Sequence, residues 1–231
     1  MRETSNKYLI AALLIGVIFH SATIIFTLEQ TYDALIHLFF AEHYTSNWFE
    51  PWNYKWYTGF TVMGYPPLVH QCIALLSYIG GLKFGLFTAI LAVILFISGV
   101  YRFSLLFSGN RKVAGYASLL AVFSSSFIET LHIFGQLPSI VGISLLLHAL
   151  PEIYLYIKNG RKIVLFRAIS LIAVTVTSHH VTPIFGMIFF IFPLIGMVIM
   201  DRAKEVTGTY KFISLRLFLN VFRKLFARIV L

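Results

Sequence analysis

Residues 8–28 read YLIAALLIGVIFHSATIIFTL, an unbroken apolar run with no acid and with His20 as its only basic side chain. A helix of about 20 such residues covers the roughly 30 Å of hydrocarbon in a bilayer. Arg2 and Lys7 precede it as they would a signal peptide. The run is nevertheless long enough to span, and no clear small-x-small cleavage site follows, so it reads as a retained signal anchor. Comparable runs recur at about 84–107, 113–131, 138–157, 163–178 and 183–200.

Composition agrees with this reading. Of 231 residues, 58% are hydrophobic and 12% charged, with a mean hydropathy of +0.84. Soluble domains carry about 25% charged residues. So much apolar surface cannot be hidden in one core of this size. The expected fold is an all-α polytopic membrane protein of about six transmembrane helices, with the spans in residues 1–200. Its solvent is partly lipid.

The stretch 66–79 opens with Pro66-Pro67, ends at Gly80-Gly81, and is too short to cross comfortably. Charge supports treating it as an interfacial or re-entrant helix. With the N-terminus cytoplasmic and 66–79 not crossing, all eighteen Lys and Arg except Lys55 and Lys83 fall on the inner side. A crossing there would put Arg102, Arg111 and Lys112 outside, against the positive-inside rule. The net charge of +9 is therefore a topology signal, and a nucleic-acid groove is excluded as its explanation. Cys72 is the only cysteine, so it has no partner for an internal disulfide or a thiolate metal site.

The first outer loop, about 29–83, is the longest connection and holds all three tryptophans, Trp48, Trp52 and Trp56. Thr31–Tyr44 has helical character, and 48–64 is expected to be a packed loop. Aromatic side chains of this kind favour the membrane–water boundary. Residues 201–231 form a basic segment, with Arg216, Asn220, Arg223, Lys224 and Arg228 on one helical face. It reads as an amphipathic helix on the anionic inner leaflet or as the start of a further span, in a chain cut from a longer one.

Polar groups not explained by topology gather at the outer face. Asp33 and His37 are i,i+4 neighbours on one helix face. Asp33 could act as a general base or hold a divalent ion, or it could simply cap the loop helix. His37 could orient Asp33, donate to a phosphate, or form a plain helix pair. Glu129 and His132, which could also pair with each other at i,i+3, end the third span, just before Gln136. His179 and His180 end the fifth, before Thr182-Pro183. Each is a candidate substrate contact, because ionisable groups at membrane depth face protein or water. Lys83 could offset a lipid phosphate or snorkel from a span start. His20 and His148, inside apolar helices, read as bonds to neighbouring helices. There is no HxxxH with a third ligand at fixed spacing, no P-loop, and no nucleophile elbow.

A single span, then a long outer loop opening Tyr32-Asp33-Ala34-Leu35-Ile36-His37, then Gly64-Tyr65-Pro66-Pro67-Leu68, resembles the GT-C superfamily of membrane glycosyltransferases. Gly135-Gln136-Leu137-Pro138 and His179-His180-Val181-Thr182 look like the branch called 6-pyruvoyl-tetrahydropterin synthase-related membrane proteins. The resemblance covers about residues 8–200. It implies a polyprenyl-phosphate-linked sugar donor, no nucleotide sugar, and an outer-face site where Asp33 is the base or a metal ligand. The second acid of a DxD or ExD pattern is absent, since Thr31 and Leu35 occupy the flanking positions. Members of the superfamily are longer. The expected function is thus sugar transfer from a lipid-linked donor to an outer acceptor, with Asp33 and His37 catalytic. Rival expectations are a transporter or flippase using the outer His and Asp groups, and a non-catalytic membrane subunit.

Overall fold

The computed structural model describes residues 6–27 and 29–207, with side chains as far as Asp201. The basic segment expected after 201 lies outside the described residues beyond Thr207. The described chain is mostly helical. In α1 (Lys7–Thr27), Ala12, Gly16, His20 and Ile24 are buried at i,i+4 spacing, while Ile10, Leu14, Ile18, Ile25 and Phe26 point outward. A surface helix in water turns a polar face out. One that is apolar on both faces suits lipid.

After α1, the aromatic loop separates α2 (Ala34–Ser46) from α3 (Leu68–Gly80). Residues 48–64, expected to be a packed loop, are instead mostly exposed, with Asn53 and Val62 buried, and they add a small antiparallel hairpin, β1 (Trp52–Asn53) with β2 (Phe60–Thr61). Gly59 closes that hairpin at φ +99°, where a Cβ would lie 2.1 Å from Trp52 Nε1. With 13 residues, α3 is about 20 Å long, too short to span. It folds back on α2 and meets the 3-10 turn Leu82–Phe87 that leads into α4 (Thr88–Ser108).

α5 (Arg111–Val122) starts at Asn110, whose Oδ1 accepts from the Lys112 and Val113 amides at 2.9 and 3.4 Å. The run expected as one span at 113–131 is broken: α6 (Ser125–Glu129) and a following π-helical turn (Thr130–Phe134) bend 47° from α5. Ser124, extended at ψ 123°, makes the joint. α7 (Leu137–Asn159) has Pro138 in its first turn, where a missing N–H costs nothing, and ends at left-handed Gly160. α8 (Lys162–Ser178) returns antiparallel to α7, and α9 (Val181–Gly186) continues through the π turn Met187–Ile191 into α10 (Phe192–Thr207).

Among the described residues, four stretches are long and apolar enough to cross a membrane: Lys7–Thr27, Leu82–Ser108, Leu137–Asn159 and Val181–Asp201; the bent α5–α6 pair makes up to five. α8, with 17 residues, reaches only about 25 Å. Within the described bundle α7 is the centre, 67% buried over its span, against 22% for α1 and for α9–α10. α4 crosses α7 closely at Gly99, where a Cβ would come 3.0 Å from the Ser144 carbonyl oxygen. Two helices away from bulk water also share polar glue. Arg102 Nη2 donates to the buried Glu152 carboxylate at 2.5 Å, and Arg102 Nη1 to His148 Nδ1 at 3.2 Å.

The helices alternate in direction, so their ends sort into two rims. Tyr8 packs with its ring tilted against Tyr116 and Arg102 meets Glu152 at one rim, beside Arg111, Lys112, Arg161 and Lys162. The opposite rim collects the aromatic loop, the turn after α6, and the α8–α9 joint.

Candidate functional site

The turn 130–136 organises the aromatic rim. Its π-helical stretch aims successive carbonyls at the segment entering α2. Ile133 O accepts the Tyr32 amide at 3.1 Å, and Phe134 O the Asp33 amide at 3.0 Å. Gly135 O accepts from His37 Nε2 at 2.9 Å. Gly135 is left-handed at φ +71°, and a Cβ there would stand 2.2 Å from Thr31 Oγ1. Only glycine suits both the dihedral and the approach. Asp33, His37 and Gln136, remote in sequence, are thereby placed around one turn.

Asp33 occupies the N-cap position of α2 yet makes no side-chain cap hydrogen bond. It is half-buried, and it is in none of the ion pairs among the described residues. The capping role weighed from sequence is thus not what the carboxylate does. Its charge acts on His37, favouring the imidazolium, and on Tyr65, disfavouring the phenolate.

His37 is placed otherwise than a phosphate donor would be. It is 1% exposed, with Nε2 on Gly135 O and Nδ1 3.1 Å from His70 Nε2. No ring edge is left for a substrate. Burial is the main cause that lowers its pKa. His70, also 1% exposed, contacts Pro66 O through Nδ1 at 3.3 Å. Burial and then the His37 charge bring its pKa down to about 3.

Beside the turn, a cavity of about 450 Å³ opens between α6, α7 and α9. Its polar side carries Ser126, Thr130, Gln136, Ser139, His179 and Thr182; its apolar side is built on Phe96, Phe127, Phe185 and Phe190. His179 Nδ1 is 2.8 Å from Thr182 Oγ1 and Nε2 is 3.4 Å from Ser139 Oγ. Burial, then the neighbouring His180, lowers the His179 pKa. Gly142 lets α9 approach α7 here, since a Cβ would lie 2.8 Å from Thr182 Oγ1.

The other sequence candidates lie apart from this cavity. His180 is exposed, its ring tilted 6.1 Å from that of His179. Glu129 is exposed and does not line the cavity. His132, instead of pairing with Glu129, turns inward: its Nε2 is 2.8 Å from His20 Nδ1 and its Nδ1 3.1 Å from Thr27 Oγ1. Lys83 donates to Glu29 at 2.6 Å on the surface. Among the described residues no group of three or more His, Cys, Asp or Glu is gathered as a metal site.

Sequence reading passed over His70 and the cavity hydroxyls; it expected His20 to bond a neighbouring helix, as it does, but did not name His132 as the partner. His37 and His70 are 33 residues apart, and His20 and His132 are 112 apart. No spacing rule joins them. Comparison with protein-family models, curated proteins and solved structures finds no match for the chain.

Proposed function

We propose that this protein is a cell-membrane glycosyltransferase of the GT-C kind, transferring a sugar from a polyprenyl-phosphate-linked donor to an acceptor at the aromatic rim. In this reading the basic rim and the N-terminus are cytoplasmic, and α5–α6 and α8 complete six crossings. The observation that carries the proposal is the Asp33 carboxylate, held half-buried by backbone bonds to the 133–134 carbonyls and free of capping duty. Such a group suits a general base. It takes the proton of the acceptor hydroxyl as that oxygen bonds the sugar's anomeric carbon. The bond from that carbon to the lipid phosphate breaks, and the phosphate leaves with the electron pair.

The adjoining cavity suits a lipid head: apolar walls with hydroxyl, amide and imidazole groups on one side. Gln136, Ser139, His179 and Thr182 would bind the phosphate, where hydrogen bonds that strengthen as charge develops supply rate. His37 becomes a positioning residue in place of a phosphate donor.

The test uses purified protein with polyprenyl-phosphate sugars, following donor consumption and retained lipid by native mass spectrometry. Asp33→Asn is expected to lower turnover by roughly 10²–10⁴-fold, the usual worth of a general base, while the lipid stays bound. Full activity in Asp33→Asn removes this assignment. The buried histidine pairs favour one rival, a proton-coupled transporter or flippase. Proton uptake into liposomes driven by a lipid or solute gradient, with no donor consumption, selects that rival.

A further inference from the structure

His37 and His70 join α2 to α3 through a line of three contacts. From one end these are Gly135 O to His37 Nε2 at 2.9 Å, His37 Nδ1 to His70 Nε2 at 3.1 Å, and His70 Nδ1 to Pro66 O at 3.3 Å. Carbonyl oxygens at both ends can only accept. A neutral imidazole has one N–H, so the neutral pair has two hydrogens for three contacts. One contact goes unmade, and the longest, at Pro66, is the natural one. One added proton completes the line, with an N–H donated to each carbonyl and a third hydrogen between the rings. A second added proton would set N–H against N–H.

The pair His20–His132 provides an internal comparison. Its ends are Val122 O at 3.0 Å and the Thr27 hydroxyl at 3.1 Å, with 2.8 Å between the rings. A hydroxyl can donate. The Thr27 hydroxyl has one hydrogen and lies 3.1 Å from both the Thr23 carbonyl oxygen and His132 Nδ1, so donating to His132 with both rings neutral gives up the Thr23 bond. The two buried pairs therefore differ in what stands at one end: a carbonyl that can only accept, and a hydroxyl that can do either.

We propose that the His37–His70 pair is a binding site for one proton, shared along the line from Gly135 O to Pro66 O and coupled to the charge of Asp33. The titratable groups around it are few. Asp33, at the start of α2, favours the charged pair. Tyr65 faces His70 with ring centroids 5.2 Å apart and stays neutral, its pKa raised by burial and by Asp33. On the α1 side, Thr27 and Thr31 line a cavity of about 10 Å³ against His37 and bring no charge. Phe40 covers His70, with centroids 5.0 Å apart. Burial lowers the pKa of both rings, and that of His70, lowered further by the His37 charge, comes down to about 3.

The use of this proton rests on the glycosyl-transfer reading; the site itself does not. After a transfer, protonated Asp33 must be returned to its carboxylate. Moving that proton to the neutral pair breaks one O–H bond and forms one N–H bond, leaving an ionised Asp33 beside a singly protonated pair. His37 and His70 would then be positioning residues that reset the base.

The test is a pH titration of the full chain in nanodiscs, read by ¹⁵N NMR of labelled histidine, for wild type, Asp33→Asn and His70→Gln. In wild type, His37 and His70 are expected to titrate together in a one-proton step. Asp33→Asn should lower that midpoint by roughly 0.5–1 pH unit, as removal of a nearby opposite charge does. His70→Gln should leave His37 titrating alone with a changed midpoint. Two independent single-ring titrations, rings neutral down to pH 3, or a midpoint indifferent to Asp33→Asn would each overturn the proposal. None of these readouts needs turnover, so failure here is separate from failure of Asp33→Asn to abolish sugar transfer.

Discussion

Gly135 does two things that no other side chain can do at that position. It adopts φ +71° and it lets Thr31 Oγ1 approach to where a Cβ would be 2.2 Å away. Its carbonyl is also the acceptor for His37. Gly135→Ala is therefore expected to destabilise the protein by about 1–3 kcal/mol, the cost of strained left-handed backbone, and to release the His37 ring. Thermal unfolding in detergent, with the His37 imidazole signal as a local reporter, measures both; an unchanged Tm would contradict this placement. Sequence alone singled out Asp33 as a residue that topology does not explain, because a carboxylate next to lipid is costly and conspicuous. It did not show that the carboxylate is free of capping, since Asp at a helix start usually caps. Nor could it pair His37 with His70, because that contact is made by the packing of α3 on α2.

At the scale of elements, four of the six expected spans, those at 8–28, 84–107, 138–157 and 183–200, were legible because bilayer thickness selects their length: the run at 8–28 and the helix Lys7–Thr27 nearly coincide. The break at Ser124 was not legible. A short serine run within an apolar stretch reads equally as part of a helix or as a joint, and the neighbouring helices decide. The short α3 was legible from Pro66-Pro67 and Gly80-Gly81, but its anchoring was not. It is wedged at Gly85, where a Cβ would lie 2.3 Å from the Ile73 carbonyl oxygen. Backbone cannot yield as a flexible side chain does. Gly85→Ala should cost about 1–3 kcal/mol, as overpacking does, and loosen α3 before the spans. Hydrogen exchange is expected to rise across 68–87 first; uniform protection would show that α3 is not held there.

For the whole molecule, the decisive feature is the sorting of helix ends into a basic rim and an aromatic one. The proposed orientation follows from it and is open to direct measurement. In a Cys72→Ser background, Phe49→Cys, at a residue 92% exposed, should react with a membrane-impermeant maleimide from outside intact cells. Lys112→Cys, at the other rim, should react only after permeabilisation; the opposite pattern would invert the protein. In the unsubstituted protein Cys72 should react only weakly, since burial raises its thiol pKa.

The backbone ties from Tyr32 and Asp33 to Ile133 and Phe134 also bear on biosynthesis. The His37–Gly135 bond spans 98 residues of chain. While the ribosome is still making α4 and α5, the carbonyls that fix Asp33 do not yet exist. The loop must wait, unlatched, until the segment through Gly135 has been synthesised. A chain stalled before that point would carry every residue of the loop and still lack the carbonyls that hold Asp33 in position.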